Sequence, residues 1–131
     1  MSQPNRAARI LVVDDDEQVR TLLKVILERE GYAVDAAGDG CQAVAVFDPG
    51  VHSLVITDIV MPEKEGIEMI MELRQLVPGL PVIAISGGGR LGPDDYLAWA
   101  RRCGVRHTFT KPVPRRELLA AVTELVGQPV R

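Results

Sequence analysis

The chain has 131 residues, of which 47% are hydrophobic and 25% are charged, and its formal net charge is −3 at pH 7. This length suits one domain with a sizeable core, and the composition excludes a disordered chain, a collagen-like repeat and a disulfide scaffold. The sequence contains no apolar run of the length that a signal peptide or a membrane span requires, so we expect a cytoplasmic protein that does not bind membranes.

The first third of the chain alternates between strand-like and helix-like patterns. Ile10–Val13 is short, apolar and unalternating, which is typical of a strand buried on both faces. Asp16 is the predicted N-cap of a helix that ends at Gly31. The apolar residues at helical spacing in this helix are Val19, Leu22, Leu23, Ile26 and Leu27. Ala33–Ala36 is a weaker strand, suited to the edge of a sheet.

The same alternation continues to the middle of the chain. A short helix begins at Asp39-Gly40 and is ended by Asp48-Pro49-Gly50, and Leu54–Thr57 is a second buried strand. A loop containing Met61-Pro62 leads to a helix that ends at Pro78-Gly79. The predicted apolar stripe of that helix is Ile67, Ile70, Met71 and Val77.

The last third adds two strands and two helices. Val82–Ile85 is a third buried strand, and a glycine-rich loop leads to a helix that Gly104 ends. Val105–Thr110 is the last strand, and an amphipathic helix follows it. Five alternations of strand and helix predict a doubly wound α/β domain, a five-stranded parallel sheet flanked by five helices. We expect one domain over residues 8–127 with short tails at 1–7 and 128–131, and no effector domain.

Polar residues follow four of the predicted strands. Asp14 and Asp15 follow the first strand, Asp58 the third, Ser86 the fourth and Lys111 the fifth. Because the carboxyl ends of parallel strands share one edge of a sheet, these side chains are expected to converge. Gathered carboxylates repel one another unless a cation neutralises them, and Mg²⁺ suits a few carboxylates beside a phosphoryl donor.

These residue types suit phosphoryl transfer. Asp58 can act as a nucleophile and form an aspartyl-phosphate, and the Lys111 ammonium can pair first with the acid and then with the phosphoryl oxygens. The Ser86 hydroxyl can donate a hydrogen bond to a phosphoryl oxygen.

The chain resembles the CheY-like receiver domain of two-component response regulators. The residues that carry the resemblance are 10–16, 57–62, Gly66, 85–86 and Lys111-Pro112. It implies a flavodoxin-like sheet of strand order 2-1-3-4-5, a cis Lys111-Pro112 bond, Asp58 as phosphoacceptor, Ser86 as the switch hydroxyl and Lys111 as the phosphoryl-contacting lysine. The implied Mg²⁺ ligands are Asp14 (through water), Asp15, Asp58 and the Val60 backbone carbonyl.

The resemblance also implies partners. A histidine kinase or histidine phosphotransfer protein would phosphorylate this stand-alone receiver, which would signal to another protein and catalyse only its own phosphorylation and dephosphorylation. Several arginines lie in the last third of the chain, so an acidic partner or a homodimer could use the last two helices and strand five. Nothing in the chain indicates nucleic-acid binding.

Three departures from the family pattern matter. Thr108 stands where the family usually has an aromatic switch residue, and the neighbouring Phe109 is expected to point into the core. The loop after Ser86 is longer and richer in glycine than usual. Val60 and Gly88 offer no polar side chain to the attacking water, so we expect slow self-dephosphorylation.

Two other families remain open. Asp14 and Asp16 form an acid pair that, with Ser86 and Lys111, resembles phosphatases of the haloacid dehalogenase type, in which Asp14 would be the nucleophile; the Gly-Thr expected after the pair and a later acidic motif are absent. A flavodoxin-type flavin site is disfavoured because acids occupy the loop that would hold the cofactor phosphate.

Overall fold

The computed structural model describes residues 8–59, 66–87, 98 and 100–129. Its five strands are β1 (Arg9–Val13), β2 (Ala33–Ala37), β3 (His52–Asp58), β4 (Val82–Ser86) and β5 (His107–Thr110). Its helices are α1 (Glu17–Arg29), α2 (Gly40–Val46), α3 (Gly66–Leu76), α4, of which residues 98 and 100–102 are described, and α5 (Arg115–Val126).

The strands form one sheet in the order β2-β1-β3-β4-β5, and every neighbouring pair is parallel. This confirms the predicted doubly wound, flavodoxin-like fold with five helices. The central strands alternate between two hydrophobic clusters: Leu11 and Val13 pack in one, and Ile10 and Val12 pack in the other. Both faces of the sheet are therefore buried, which explains the unalternating apolar runs.

Local signals set the helix ends. The Asp16 side chain caps α1 by accepting hydrogen bonds from the backbone N–H groups of Gln18 (2.9 Å) and Val19 (3.4 Å). Gly31, which follows α1, has a φ of 105°, a conformation that glycine adopts without strain. Both ends of α1 therefore lie where the sequence predicts them.

The bounds of all five strands differ from the predicted ones; β1, β2 and β4 are each one residue longer, and β3 and β5 differ most. β3 is longer at both ends, because His52 pairs with Arg9 and Asp58 pairs with Ile85. β5 begins later than predicted, since the Val105 N–H donates to the Ala100 carbonyl (3.1 Å) at the end of α4 rather than to a strand.

Two predicted core positions are wrong. Leu22 and Met71 each have 58% of their surface exposed. Each stands one residue from a buried neighbour, Leu23 or Ile70, and one residue turns about 100° around a helix axis. The buried face of α3 instead comprises Gly66, Met69, Ile70 and Leu73.

Candidate functional site

The carboxyl edge of the sheet brings the predicted site residues together. Asp14 directly follows β1, Asp58 is the last residue of β3, Ser86 is the last residue of β4, and Lys111 directly follows β5. Asp58 and Ser86 are still paired with Ile85 and Thr110, so each belongs to its strand rather than to the loop beyond. Asp15 is exposed beside Asp14. Val60 and Gly88 lie outside the described residues.

Lys111 connects two strand ends through its ammonium group. Its Nζ lies 2.7 Å from Oδ2 of Asp58 and 3.0 Å from Oδ2 of Asp14. Burial alone would lower the pKa of Lys111, but the hydrogen bonds to Asp58 and Asp14 outweigh it and raise the pKa above its usual value. Lys111 is therefore charged and compensates two acids at once.

Asp14 is fully buried between β1 and the ammonium. Its Oδ1 accepts a hydrogen bond from the backbone N–H of Asp16 (2.8 Å). Its Oδ2 has the Lys111 ion pair and no other hydrogen-bond partner among the described residues. Burial raises the pKa of the Asp14 carboxyl, although the Asp16 N–H and Lys111 oppose the shift. A buried carboxylate oxygen with so few donors favours a bound cation.

The three acids predicted to bind Mg²⁺ fit such a cation. Asp14, Asp15 and Asp58 each offer one carboxylate oxygen, and these oxygens lie within 4.8 Å of one another. Two of the acids are buried and one is exposed. Mg²⁺ prefers a few carboxylates and keeps several waters, so the donor set fits this ion with one side open to solvent.

Ser86 offers an unused donor beside these acids. Its side chain is fully buried, and its Oγ has no hydrogen-bond partner in the part of the chain that the structure describes. A buried hydroxyl without a partner is unfavourable by about 1–3 kcal/mol. An oxyanion bound at Asp58 would give this hydroxyl an acceptor.

Backbone contacts that the sequence analysis missed position these side chains. The Thr57 hydroxyl donates to the Asp58 backbone carbonyl (2.7 Å), and Nη1 of Arg20 donates to the Asp14 carbonyl (2.8 Å). The Lys111 N–H donates to the Ser86 carbonyl (3.0 Å). Gly66 also lies against this backbone, because a Cβ on Gly66 would lie 2.4 Å from the Asp58 carbonyl oxygen. The glycine at position 66 is the sequence feature that could have indicated this close contact.

The two unusual residues of β5 have different surroundings. Thr108 is half-buried, and its Oγ1 accepts a hydrogen bond from Nη2 of Arg101 in α4 (3.1 Å). Phe109 is half-buried and packs against the cluster that contains Ile83 and Ile85, as predicted. The Lys111-Pro112 bond is cis, which was also predicted.

Residues 10–123 match the sequence profile of the response regulator receiver domain. The chain is 38% identical to the transcriptional regulatory protein CpxR of Klebsiella pneumoniae over 127 residues, which cover 90% of this chain and 49% of that protein. It is also 38% identical to an uncharacterized 14.6 kDa protein of Leptolyngbya boryana over 117 residues, 88% of this chain and 87% of that one.

A solved structure has the same fold. The response regulator protein TrrA of Thermotoga maritima, in complex with Mg²⁺-BeF, superposes with a TM-score of 0.79 at 33% identity. The match covers 91% of this chain and 99% of that chain. By contrast, this chain spans about half the length of CpxR and about a quarter of the regulator GlrR of Escherichia coli, two of its curated relatives. Among the described residues, no helix is long and apolar enough to cross a membrane.

Proposed function

Because this chain belongs to the response regulator receiver domain family, we propose that Asp58 accepts a phosphoryl group from a histidine kinase or a histidine phosphotransfer protein. Receiver domains are signalling domains rather than classical enzymes, and they bind Mg²⁺ at a cluster of acids. The finer proposal is that phosphorylation of Asp58 changes the surface of this domain and thereby its contacts with another protein.

One observation carries the proposal. The carboxylate of Asp58 lies at a sheet edge with the Lys111 ammonium 2.7 Å from its Oδ2, and the unpaired hydroxyl of Ser86 is at the end of the neighbouring strand. A nucleophilic carboxylate, a cation and a free hydrogen-bond donor are what transfer of a phosphoryl group to an acid requires.

The reaction follows from these residues. A carboxylate oxygen of Asp58 attacks the phosphorus of a donor phosphohistidine, a P–O bond forms, the P–N bond breaks, and the electron pair leaves with the imidazole nitrogen. Lys111 pairs with the phosphoryl oxygens as they move onto Asp58, and Ser86 donates its proton in a hydrogen bond to one of them. Asp14, Asp15, Asp58 and the Val60 carbonyl would hold Mg²⁺, which would neutralise charge on the phosphoryl oxygens.

Dephosphorylation reverses the state of the site. Water attacks the phosphorus, the P–O bond to Asp58 breaks, and the carboxylate and inorganic phosphate are released. We propose that these two half-reactions, at Asp58 itself, are the only chemistry that the domain performs.

The remaining proposals concern the bounds of the domain, its location in the cell and its partners. We propose that residues 8–127 form the receiver unit, that it acts in the cytoplasm, and that its output is a protein contact. The exposed arginines at 101, 102, 106, 115 and 116 favour an acidic protein partner or a second copy at the face formed by α4, β5 and α5.

Intact mass after incubation with Mg²⁺ and acetyl phosphate tests this function. We expect the parent protein to gain one phosphoryl group and Asp58→Ala to gain none. Asp35→Asn is a matched control, because Asp35 lies in β2 and its carboxylate contacts Arg9 and His52. Equal gain by the parent and Asp58→Ala would overturn the proposal, and steady turnover of a phosphate ester that depends on Asp14 would favour the phosphatase alternative.

A further inference from the structure

Gly87 occupies a position where the backbone does not require glycine. Its φ is not positive, unlike those of Gly31, Gly79, Gly104 and Gly127, and its surface is exposed. An alanine there would therefore meet neither backbone strain nor a crowded core. The reason for glycine must lie in what passes beside it.

The side chain that passes Gly87 is the stem of Lys111. A Cβ built on Gly87 would lie 2.6 Å from Cδ of Lys111, 3.1 Å from its Cβ and 3.2 Å from its Cγ. Three consecutive carbons of the stem thus run directly across the glycine. Carbon atoms without a bond between them pack at about 3.5–4.0 Å, so a side chain at position 87 would collide with this path.

The stem cannot easily move aside, because both of its ends are held. At one end the Lys111 N–H donates to the Ser86 carbonyl (3.0 Å). At the other end the ammonium lies between Asp58 and Asp14, at 2.7 and 3.0 Å. A Cβ at position 87 can be accommodated if the ammonium leaves one or both acids.

We propose that Gly87 is a positioning residue for Lys111: the missing side chain gives the lysine stem the path that brings its ammonium onto Asp58 and Asp14. The inference rests on the proposed function for its role in phosphoryl transfer. The path itself is a property of the unphosphorylated protein, so it can be tested without a phosphoryl donor.

Mg²⁺ affinity is the readout, measured by calorimetric titration of the unphosphorylated protein. Displacing a positive charge from the acids makes the site more negative, so we expect Gly87→Ala to bind Mg²⁺ about three- to tenfold more tightly. Lys111→Ala should give a rise of the same size. A residue that merely supported the fold would weaken Mg²⁺ binding when it was replaced.

The double variant tests the coupling. Lys111→Ala removes Cγ and Cδ, so Gly87→Ala should add no further change in Mg²⁺ affinity in that background. Urea unfolding of the parent, the two single variants and the double variant gives a second measurement. Gly87→Ala should lower the urea midpoint of unfolding when Lys111 is present and change it much less when residue 111 is alanine. Gly50→Ala is the matched control, because its φ is not positive and its Cβ would meet only Asp48 Oδ1, at 3.5 Å.

Three results would overturn the proposal: an unchanged Mg²⁺ affinity in Gly87→Ala, a weakened Mg²⁺ affinity in Gly87→Ala, or changes in affinity from Gly87→Ala and Lys111→Ala that simply multiply in the double variant. Its failure is distinguishable from failure of the proposed function. If Asp58 were not phosphorylated but the cycle showed coupling, Gly87 would still position Lys111. If Asp58 were phosphorylated without coupling, only the role of Gly87 would be lost.

Discussion

The ammonium of Lys111 lies 2.7 Å from Oδ2 of Asp58, although the two residues are 53 positions apart in the chain. This ion pair joins the ends of β3 and β5, and its second contact, to Asp14, extends it to β1. The flexible side chain of Lys111 is thus held by two acids at the ends of other strands. The stability of the metal-free protein should depend on that charge.

Lys111→Met keeps the apolar stem and removes the charge. We expect the free energy of unfolding at neutral pH to fall by about 1–3 kcal/mol, because two acids lose their cation. The pKa of Lys111 is raised in the folded protein, so its stabilisation is complete below the unfolded pKa of about 10.4 and is lost as the pH rises through the folded value. In urea unfolding, the difference in free energy of unfolding between the parent and Lys111→Met should therefore be constant up to about pH 9 and shrink above the unfolded pKa. A difference that persists in full at alkaline pH would contradict this prediction.

Asp14→Asn should stabilise the metal-free protein at neutral pH. Burial raises the pKa of the Asp14 carboxyl, so the folded state binds the proton more tightly than the unfolded state does. The parent protein therefore loses free energy of unfolding as the pH rises above the unfolded pKa of about 3.9, and this loss is still present at neutral pH. We expect a gain of about 1 kcal/mol in the variant, which disappears below the unfolded pKa.

Magnesium should make the parent protein more stable than Asp14→Asn. Adding Mg²⁺ should raise the melting temperature of the parent protein more than that of Asp14→Asn, because ligand binding to the folded state stabilises it in proportion to affinity. An equal rise in both proteins would mean that Asp14 does not contribute to the metal site.

Gly66→Ala should disrupt the backbone of the site. A Cβ on Gly66 would lie 2.4 Å from the Asp58 carbonyl oxygen and 2.5 Å from Cα of Ile59. These are backbone atoms, which cannot rotate away, so we expect a loss of about 1–3 kcal/mol and slower phosphorylation. Denaturant unfolding and acetyl phosphate kinetics measure the two effects, with Gly50→Ala as the control. Parent-like values of both would show that α3 can move away from β3 freely.

Asp35→Asn should affect stability without affecting phosphorylation. The Asp35 carboxylate accepts hydrogen bonds from Nη1 of Arg9 (3.0 Å) and from the His52 ring, whose Nε2 is 2.9 Å away. Burial opposes these contacts, but they outweigh it and lower the pKa of Asp35. The stabilisation is therefore present above the unfolded pKa and is lost as the pH falls through the folded value.

Because Asp35 is partly exposed, the expected loss at neutral pH is about 0.5–1 kcal/mol. Unfolding titrations of parent and variant should converge in acid. A variant that is as stable as the parent at neutral pH would show that this ion pair contributes nothing.

The phosphorylated protein should lose its phosphoryl group slowly. Val60 and Gly88, which lie outside the described residues, have no polar side chain that could orient the attacking water. Loss of the added mass should follow a half-life of minutes or longer after the donor is removed. A lifetime of only seconds in purified protein would refute this prediction.

Most of the fold could be predicted from the sequence because its signals are local and strong. Ile10–Val13 and Val82–Ile85 are buried on both faces, and their runs are accordingly apolar throughout. Strand order was not available from such patterns and came from the family resemblance. Leu22 and Met71 were misplaced, because apolar residues next to a helical stripe look like members of it.

Some features of the site could likewise be predicted from the sequence, and others could not. That Asp14, Asp58, Ser86 and Lys111 lie at one edge of the sheet could be predicted, because polar residues at strand ends are visible in the sequence. Gly87 could not, since its role depends on the path of a side chain from residue 111. The hydrogen bond from Arg101 to Thr108 was likewise invisible, because it joins α4 to β5 through side chains.

Locating the phosphoryl group in the chain shows whether Asp58 is the phosphoacceptor. Borohydride reduction of the phosphorylated protein converts an aspartyl-phosphate to homoserine, which peptide mass spectrometry can assign to a residue. We expect homoserine at position 58, and only after incubation with Mg²⁺ and the phosphoryl donor. Homoserine at position 14, or a phosphoryl group on any other residue with Asp58 unmodified, would contradict it.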